Sequence, residues 1–301
     1  MNLTVTPLTP DFVAGIGGLD LRQPLDKTTV DGLWDAANRY AVLVFHDQFI
    51  TDEQQQAFSR NFGDLETTVS AYRKDFVPRL DVHMADISNL DEQNRVLPKN
   101  DRRRLNALGN RLWHSDSSFK RVPARFSLLS ARVVPAEGGE TQFADMRVAW
   151  DTLSETMQRR VEGMICEHTQ LFSRARIGFT DWAPEELEKM APVPQVLVRT
   201  PPGSGRKSLY LSSHAGRIRG MEEPEARLLL MDLNEHATQP RFVHTHTWKA
   251  GDLVMWDNRC TMHRARRFDS SKPRDMRRTT VAGTVPTVAW ESPPATSAAA
   301  E

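Results

Sequence analysis

Cysteine is scarce in this 301-residue chain: Cys166 and Cys260 are the only two. That is too few for a disulfide framework and suits reduced thiols in a cytoplasm. No stretch of about 18 apolar residues occurs, so no membrane span is expected. Net charge is missing as well, since 39 Lys+Arg balance 39 Asp+Glu, and a global nucleic-acid footprint is therefore not expected. Residues 1–7 carry neither the basic nor the apolar segment of a secretory signal. No glycine-rich strand-to-helix phosphate motif is present, which argues against a nucleotide fold. The expectation is a soluble, cytoplasmic protein that takes a small molecule, with no nucleic-acid or membrane partner and homo-oligomerisation left open.

What is there reads as many short strands. Apolar or alternating runs at 126–130, 195–198, 208–211, 252–256 and 279–281 are separated by turn-forming residues such as Glu137-Gly138-Gly139 and Pro201-Pro202-Gly203. Amphipathic segments at 146–162 and 222–236 interrupt them. Nearer the start, 28–40 reads as a helix with Val30, Leu33, Trp34 and Ala37 on one face, running into a buried strand at 41–45. Thr51-Asp52-Glu53-Gln54 is a capping-box pattern that opens a helix through Phe58 and Phe62, with Gly63 placed for a left-handed C-cap. Residues 64–110 hold few regular signals and are expected to form a loop or lid. The whole predicts one mainly β domain with flanking helices over residues 1–286, a β-sandwich or jelly roll, followed by a loose Pro/Ala/Ser-rich tail at 287–301.

The sharpest local feature is Trp113-His114-Ser115-Asp116. On a strand, His114 and Asp116 would project from the same surface and offer two ligands to a divalent transition metal. A third could come from His263, in the segment Trp256 to Arg264. Two imidazoles and one carboxylate suit an open non-haem Fe(II) site, although a catalytic zinc would accept the same set. Arg274 and Arg278 lie eleven and fifteen residues after His263. The segment 264–278 holds seven Lys/Arg against two Asp. Since Arg278 runs into apolar strand-like sequence, some of these cations are expected to point inward, where a guanidinium calls for a carboxylate partner.

At these positions the chain resembles the 2-oxoglutarate-dependent taurine dioxygenase superfamily, and within it the bacterial 2,4-dichlorophenoxyacetate dioxygenase branch. The carriers include Leu112 to Phe119, Gly138-Gly139-Glu140-Thr141, Arg199-Thr200, Glu235 to Thr238, Gly251 to Arg259 and Arg277-Arg278. The resemblance implies a double-stranded β-helix core, Fe(II) as metal, 2-oxoglutarate as cosubstrate and O₂. It implies His114, Asp116 and His263 as iron ligands, Thr141 and Arg274 as holders of the distal carboxylate of 2-oxoglutarate, and Arg278 as binder of the substrate's acidic group. Asn110 and His214 would line the substrate pocket. The implied reaction hydroxylates the carbon between the ether oxygen and the carboxylate of an aryloxyalkanoate, releasing a phenol and glyoxylate with succinate and CO₂. An alkyl sulfonate or other small organic acid is the alternative substrate, and a non-catalytic metal-binding jelly roll a remote one. Pro201 stands where the phenoxyacetate enzymes place a histidine, which bears on substrate and not on iron.

The remaining histidines, among them His168, His236, His244 and His246, are expected to be structural. So is Cys260, and Trp113 and Trp256 are expected to pack around the metal-bearing strands. The triplet Arg102-Arg103-Arg104 reads as a solvated stretch.

Overall fold

The computed structural model describes residues 2–68 and 78–289. The chain opens with β1 (Thr4–Pro7) and β2 (Val13–Gly17), then α1 (Lys27–Tyr40), β3 (Val42–Phe45) and α2 (Asp52–Arg60). The middle holds β4 (Ala85–Asp86), α3 (Arg102–Ala107), β5 (Phe126–Val133), β6 (Thr141–Asp145), α4 (Met146–Asp151), α5 (Glu155–Val161) and β7 (Ile165–His168). Next come α6 (Gln170–Ala175), α7 (Pro184–Lys189), β8 (Val193–Val196), β9 (Val198–Arg199), β10 (Ser208–Leu209), β11 (Ala215–Ile218) and α8 (Glu223–Ala237). Four strands follow: β12 (Val243–His246), β13 (Leu253–Asp257), β14 (Thr261–Ala265) and β15 (Asp275–Val281).

The main sheet has the order β1-β2-β3-β13-β5-β15-β4, and a three-stranded sheet has the order β12-β6-β14. A second three-stranded sheet, β11-β7-β8, and the β9-β10 pair complete the strand set. The structure is thus mainly β with helices packed outside. Alternation along the central strands divides the core. Leu43, Phe45, Leu253 and Met255 face α1 and α2, where Leu33, Phe58 and Phe62 cover them. Val42, Val44, Val254 and Trp256 face the other way, toward Phe143 of β6. Phe143 and Trp256 meet with ring centroids 5.4 Å apart. Both faces of β3 and β13 are buried, which is why their sequences are continuous apolar runs instead of alternating ones.

The helix start at α1 is set by Asp26, whose side chain accepts from the Thr29 N–H. Its covered face is Leu33, Ala36, Ala37 and Tyr40, so the expected stripe is displaced and Val30 and Trp34 are only half-buried. The capping box at Thr51 and Gln54 is present with both reciprocal bonds. The expected C-cap at Gly63 is not: α2 ends at Arg60 with a right-handed Asn61 as cap. Gly63 takes a φ of 135° further on, beside Val281. The run 195–198 divides at Leu197, because β8 pairs with β7 while β9 pairs with β10.

Within 64–110 the described residues include β4 on the edge of the main sheet and α3, so this segment is less irregular than expected. The arginine triplet forms the first turn of α3 and is not simply solvated. Arg102 pairs with Asp181 and Glu186, Arg103 with Asp101 and Glu92, and Arg104 donates to Ser270. The expected tail falls largely on residues outside the described ones. No helix of the described residues is long and apolar enough to cross a membrane.

Candidate metal centre and substrate cavity

His263 lies in the middle of β14, opposite Phe143 of β6. His114 reaches it through a single antiparallel bridge, His114 N to His263 O at 3.0 Å and His263 N to His114 O at 2.8 Å. That bridge holds the two rings side by side, with centroids 4.2 Å apart. The expectation that His114 and Asp116 share a regular strand is corrected here. After the bridge the chain turns, with Ser117 at a φ of 53°, and it is the turn that swings Asp116 back toward both imidazoles. Tertiary hydrogen bonds hold it there. The Asp116 N–H donates to Asn258 Oδ1 at 3.1 Å, and Ser127 Oγ donates to Asp116 Oδ2 at 2.7 Å.

The ligand-capable atoms of His114, Asp116 and His263 lie within 4.8 Å of one another, and all three residues are buried. His114 Nε2 is 3.8 Å from Asp116 Oδ1, and His263 Nε2 is 3.7 Å from Asp116 Oδ2. These separations exceed a hydrogen bond, so the three groups converge without satisfying one another. His114 Nδ1–H donates to the Leu112 carbonyl at 2.8 Å, which leaves Nε2 as the bare nitrogen. Burial lowers the pKa of both imidazoles and keeps them neutral, as metal ligands must be. Burial pulls the Asp116 carboxyl upward, yet the Arg278 guanidinium, helped by the Ser127 hydrogen bond, outweighs it and holds the group at about 2. Neutral nitrogens and an ionised oxygen, gathered on one side with no fourth protein ligand within reach among the described residues, fit an open divalent-metal site.

Thr141 opens β6, two residues before the Phe143 that pairs with His263, and Arg274 lies against the glycine turn that precedes it. Thr141 shares the inner face of β6 with Phe143, and its hydroxyl accepts from Trp248 Nε1 at 3.0 Å. Arg274, immediately before β15, is 5% exposed, packs over Phe268 and donates to the Ile87 carbonyl at 3.1 Å. A Cβ added to Gly139 would stand 3.5 Å from Arg274 Nε, so the glycine-rich turn before Thr141 lies directly against this guanidinium. Among the described residues no carboxylate acts on Arg274. Burial alone pushes its pKa down to about 10, the signature of a cation awaiting an anion.

A cavity of about 750 Å³ opens beside His114 and Asp116. Asn110, His214 and Arg278 line it, as the sequence led us to expect, and so do His114 and Asp116. Asn110 sits on a 3-10 turn, Leu108–Arg111. His214 is buried edge-on to His114 and to Phe119, at centroid distances of 6.0 and 5.0 Å. Burial, aided by Arg174 and neighbouring histidines, holds its pKa well below the usual range. Arg278 alternates with Met276 and Thr280 on the inner face of β15, and one of its Nη atoms donates to Asp116 Oδ1 at 2.5 Å. Pro201 is buried and lies outside the cavity wall.

A model of the family described as taurine catabolism dioxygenase TauD, TfdA family matches residues 4–280. The chain belongs to this family. Over 280 residues it is 44% identical to the alpha-ketoglutarate-dependent 2,4-dichlorophenoxyacetate dioxygenase of Cupriavidus pinatubonensis, covering 93% of this chain and 98% of that protein. It is 39% identical to the (S)-phenoxypropionate/alpha-ketoglutarate-dioxygenase of Sphingobium herbicidovorans, covering 93% and 94%. Among solved structures, that of AAD-2 in complex with Mn(II) and N-oxalylglycine is 54% identical, covers 96% of this chain and all of that one, and superposes with a TM-score of 0.89.

This family member also presents to the cavity residues that sequence reasoning passed over. Phe119, Arg174, Trp182 and Met190 line it. Phe119 could have been found, because it ends the His114–Asp116 motif. Arg174, Trp182 and Met190 lie within a connection of short helices and carry no local signal; only packing brings them to the wall.

Proposed function

We propose that this chain is an Fe(II)- and 2-oxoglutarate-dependent dioxygenase that opens the ether of an aryloxyalkanoate, giving a phenol and glyoxylate with succinate and CO₂. The observation that carries it is an open His–Asp–His set, together with a buried arginine that has no acid partner among the described residues, in a chain closely similar to enzymes named for this chemistry. In this reading His114, Asp116 and His263 hold the iron, and Thr141 with Arg274 takes the distal carboxylate of 2-oxoglutarate. Arg278, Asn110 and His214 form the substrate side. Iron(II), when bound, supplies the redox chemistry with O₂ and the keto acid. The protein's part is placement. The Leu112 carbonyl fixes the His114 tautomer, Ser127 and Asn258 orient Asp116, and neutral His214 adds no competing positive charge. The described part of 64–110 contributes Glu66, Ile87, Leu90 and Leu97 to the cavity wall, and we read this segment as its cover, excluding water from the reacting carbon.

We further infer that the two facing sheets form a double-stranded β-helix, that residues 1–286 act as one catalytic domain, and that the enzyme works in the cytoplasm. Two buried, unpaired thiols fit that setting. The test is product analysis with Fe(II), 2-oxoglutarate and O₂. Phenoxyacetate should release phenol and succinate in equal amounts. Succinate formed with an alkyl sulfonate and sulfite, and none with any aryloxy acid, would replace the substrate class. Absence of succinate throughout would overturn the reading.

A further inference from the structure

Four arginines are buried among the described residues: Arg147, Arg174, Arg259 and Arg274. Two are neutralised locally. Arg147 forks onto Asp145 and Arg259 onto Asp257, each an aspartate two residues earlier. The other two have no acid partner among the described residues, and the reaction proposed above brings two carboxylic acids. Arg274 accounts for the keto acid. Arg174, in α6, is left over.

Arg174 is 8% exposed and lines the same cavity as His114 and Asp116. Its Nε donates to Asn106 Oδ1 at 2.8 Å and one Nη to Ser173 Oγ at 3.1 Å. Both acceptors are neutral. Burial alone pushes its pKa down to about 10, so no carboxylate compensates the charge. Space for the guanidinium is built in, because a Cβ on Gly109 would fall 2.3 Å from its Nη1. Gly109 lies beside Asn110 on the 3-10 turn that leads into the metal-binding segment. Arg278, by contrast, already commits a donor to Asp116 and can offer only part of its fork to a ligand.

We propose that Arg174 anchors the carboxylate of the primary substrate, with Asn106 holding its fork, and so selects acids over neutral analogues. A guanidinium fork suits a carboxylate geometrically, and a desolvated wall makes the contact strong. The inference rests on the dioxygenase reading, and its test separates the two. Binding of phenoxyacetate and of its neutral isostere phenoxyacetamide is measured by calorimetry on the Fe(II)–2-oxoglutarate protein without O₂.

The wild type should favour the acid. Arg174→Gln should weaken acid binding roughly 10- to 100-fold while the amide and 2-oxoglutarate change by no more than about twofold. Arg174→Lys should recover part of the preference, since it restores charge without the fork. Asn106→Ala should lose a smaller part. If Arg174→Gln does not fold, the acid-over-amide ratio in these two milder variants decides. An unchanged ratio in the variants, or a wild type that binds neither ligand, overturns the anchor. Loss of preference in Arg174→Gln together with no succinate from the wild type would uphold the anchor and sink the activity.

Discussion

Two places in this molecule bring two imidazoles to one aspartate, and they behave in opposite ways. At His46, Asp252 and His246 the carboxylate takes a hydrogen bond from each ring, at 2.7 and 3.1 Å, and a third from the Lys249 N–H at 2.9 Å. Every group there is satisfied by its neighbours. At His114, Asp116 and His263 the nearest nitrogen–oxygen separations are 3.7 and 3.8 Å, so the same residue types stop short of bonding one another. Both Asp116 oxygens take their hydrogen bonds elsewhere, Oδ2 from Ser127 and Oδ1 from Arg278. Composition does not distinguish the clusters; the gap does. One is a closed structural clasp on the strand ends behind Trp248, and the other is a set of donors held apart at a distance that suits an ion.

The largest expected contrast comes from removing one imidazole in each. His114→Ala should abolish metal binding and Fe(II)-dependent succinate formation, whereas His246→Ala should bind metal as the wild type does. Equal metal loss in both would erase the distinction, and calorimetric titration with Mn(II) reads it. Next in size is the division between the guanidiniums around the centre. Arg274→Ala should raise the KM for 2-oxoglutarate by about 100-fold, the order expected for losing a buried charge-assisted contact. Arg278→Ala should raise the requirement for the primary substrate far more than that for 2-oxoglutarate. Steady-state kinetics with each substrate varied checks both, and parallel shifts would show that the two arginines share one role.

Acid should act on the buried imidazoles at and around the open cluster. His114, His214 and His263 have folded pKa values lowered by burial, and burial takes His168 down to about 3. Such groups are neutral in the fold yet take up protons once unfolded. Stability is therefore greatest above the unfolded imidazole value of about 6.5 and falls as pH drops below it, by about 1.4 kcal/mol per pH unit for each group. Asp116, held at about 2, keeps its contribution above the unfolded carboxyl value and loses it only as pH falls toward 2. Thermal melts of the metal-free protein from pH 8 to 4 should show a steady decline that bound metal reduces. A flat profile would mean these histidines are solvated. The smallest effect is expected at the clasp, where His246→Ala should cost about 1–2 kcal/mol through its lost bond to Asp252, measured by chemical denaturation.

Much of the site was legible because its signals are local or spaced by strand chemistry. His114 and Asp116 sit two apart, and Arg278 falls on the inward positions of β15 with Met276 and Thr280. The central strands read as buried because both of their faces are covered. The capping box read correctly because it closes within four residues. The end of α2 did not, since the placement of Gly63 depends on contact with Val281, far away in sequence. The arginine triplet was misread partly for a similar reason: the Arg102 partners Asp181 and Glu186 lie some 80 residues onward, and Ser270, which accepts from Arg104, lies further still.

By itself, then, the amino-acid order determined which side chains could bind metal and which strands are central, because covalent spacing and apolar pattern act over a few residues. Only the tertiary structure decided that the turn after His114 aims Asp116 at two imidazoles, that one histidine–aspartate cluster is closed and the other open, and that Arg174 reaches the cavity with no acid beside it. Each of these depends on distances between segments remote in the chain, and whether a buried charge is satisfied is a property of what packs around it.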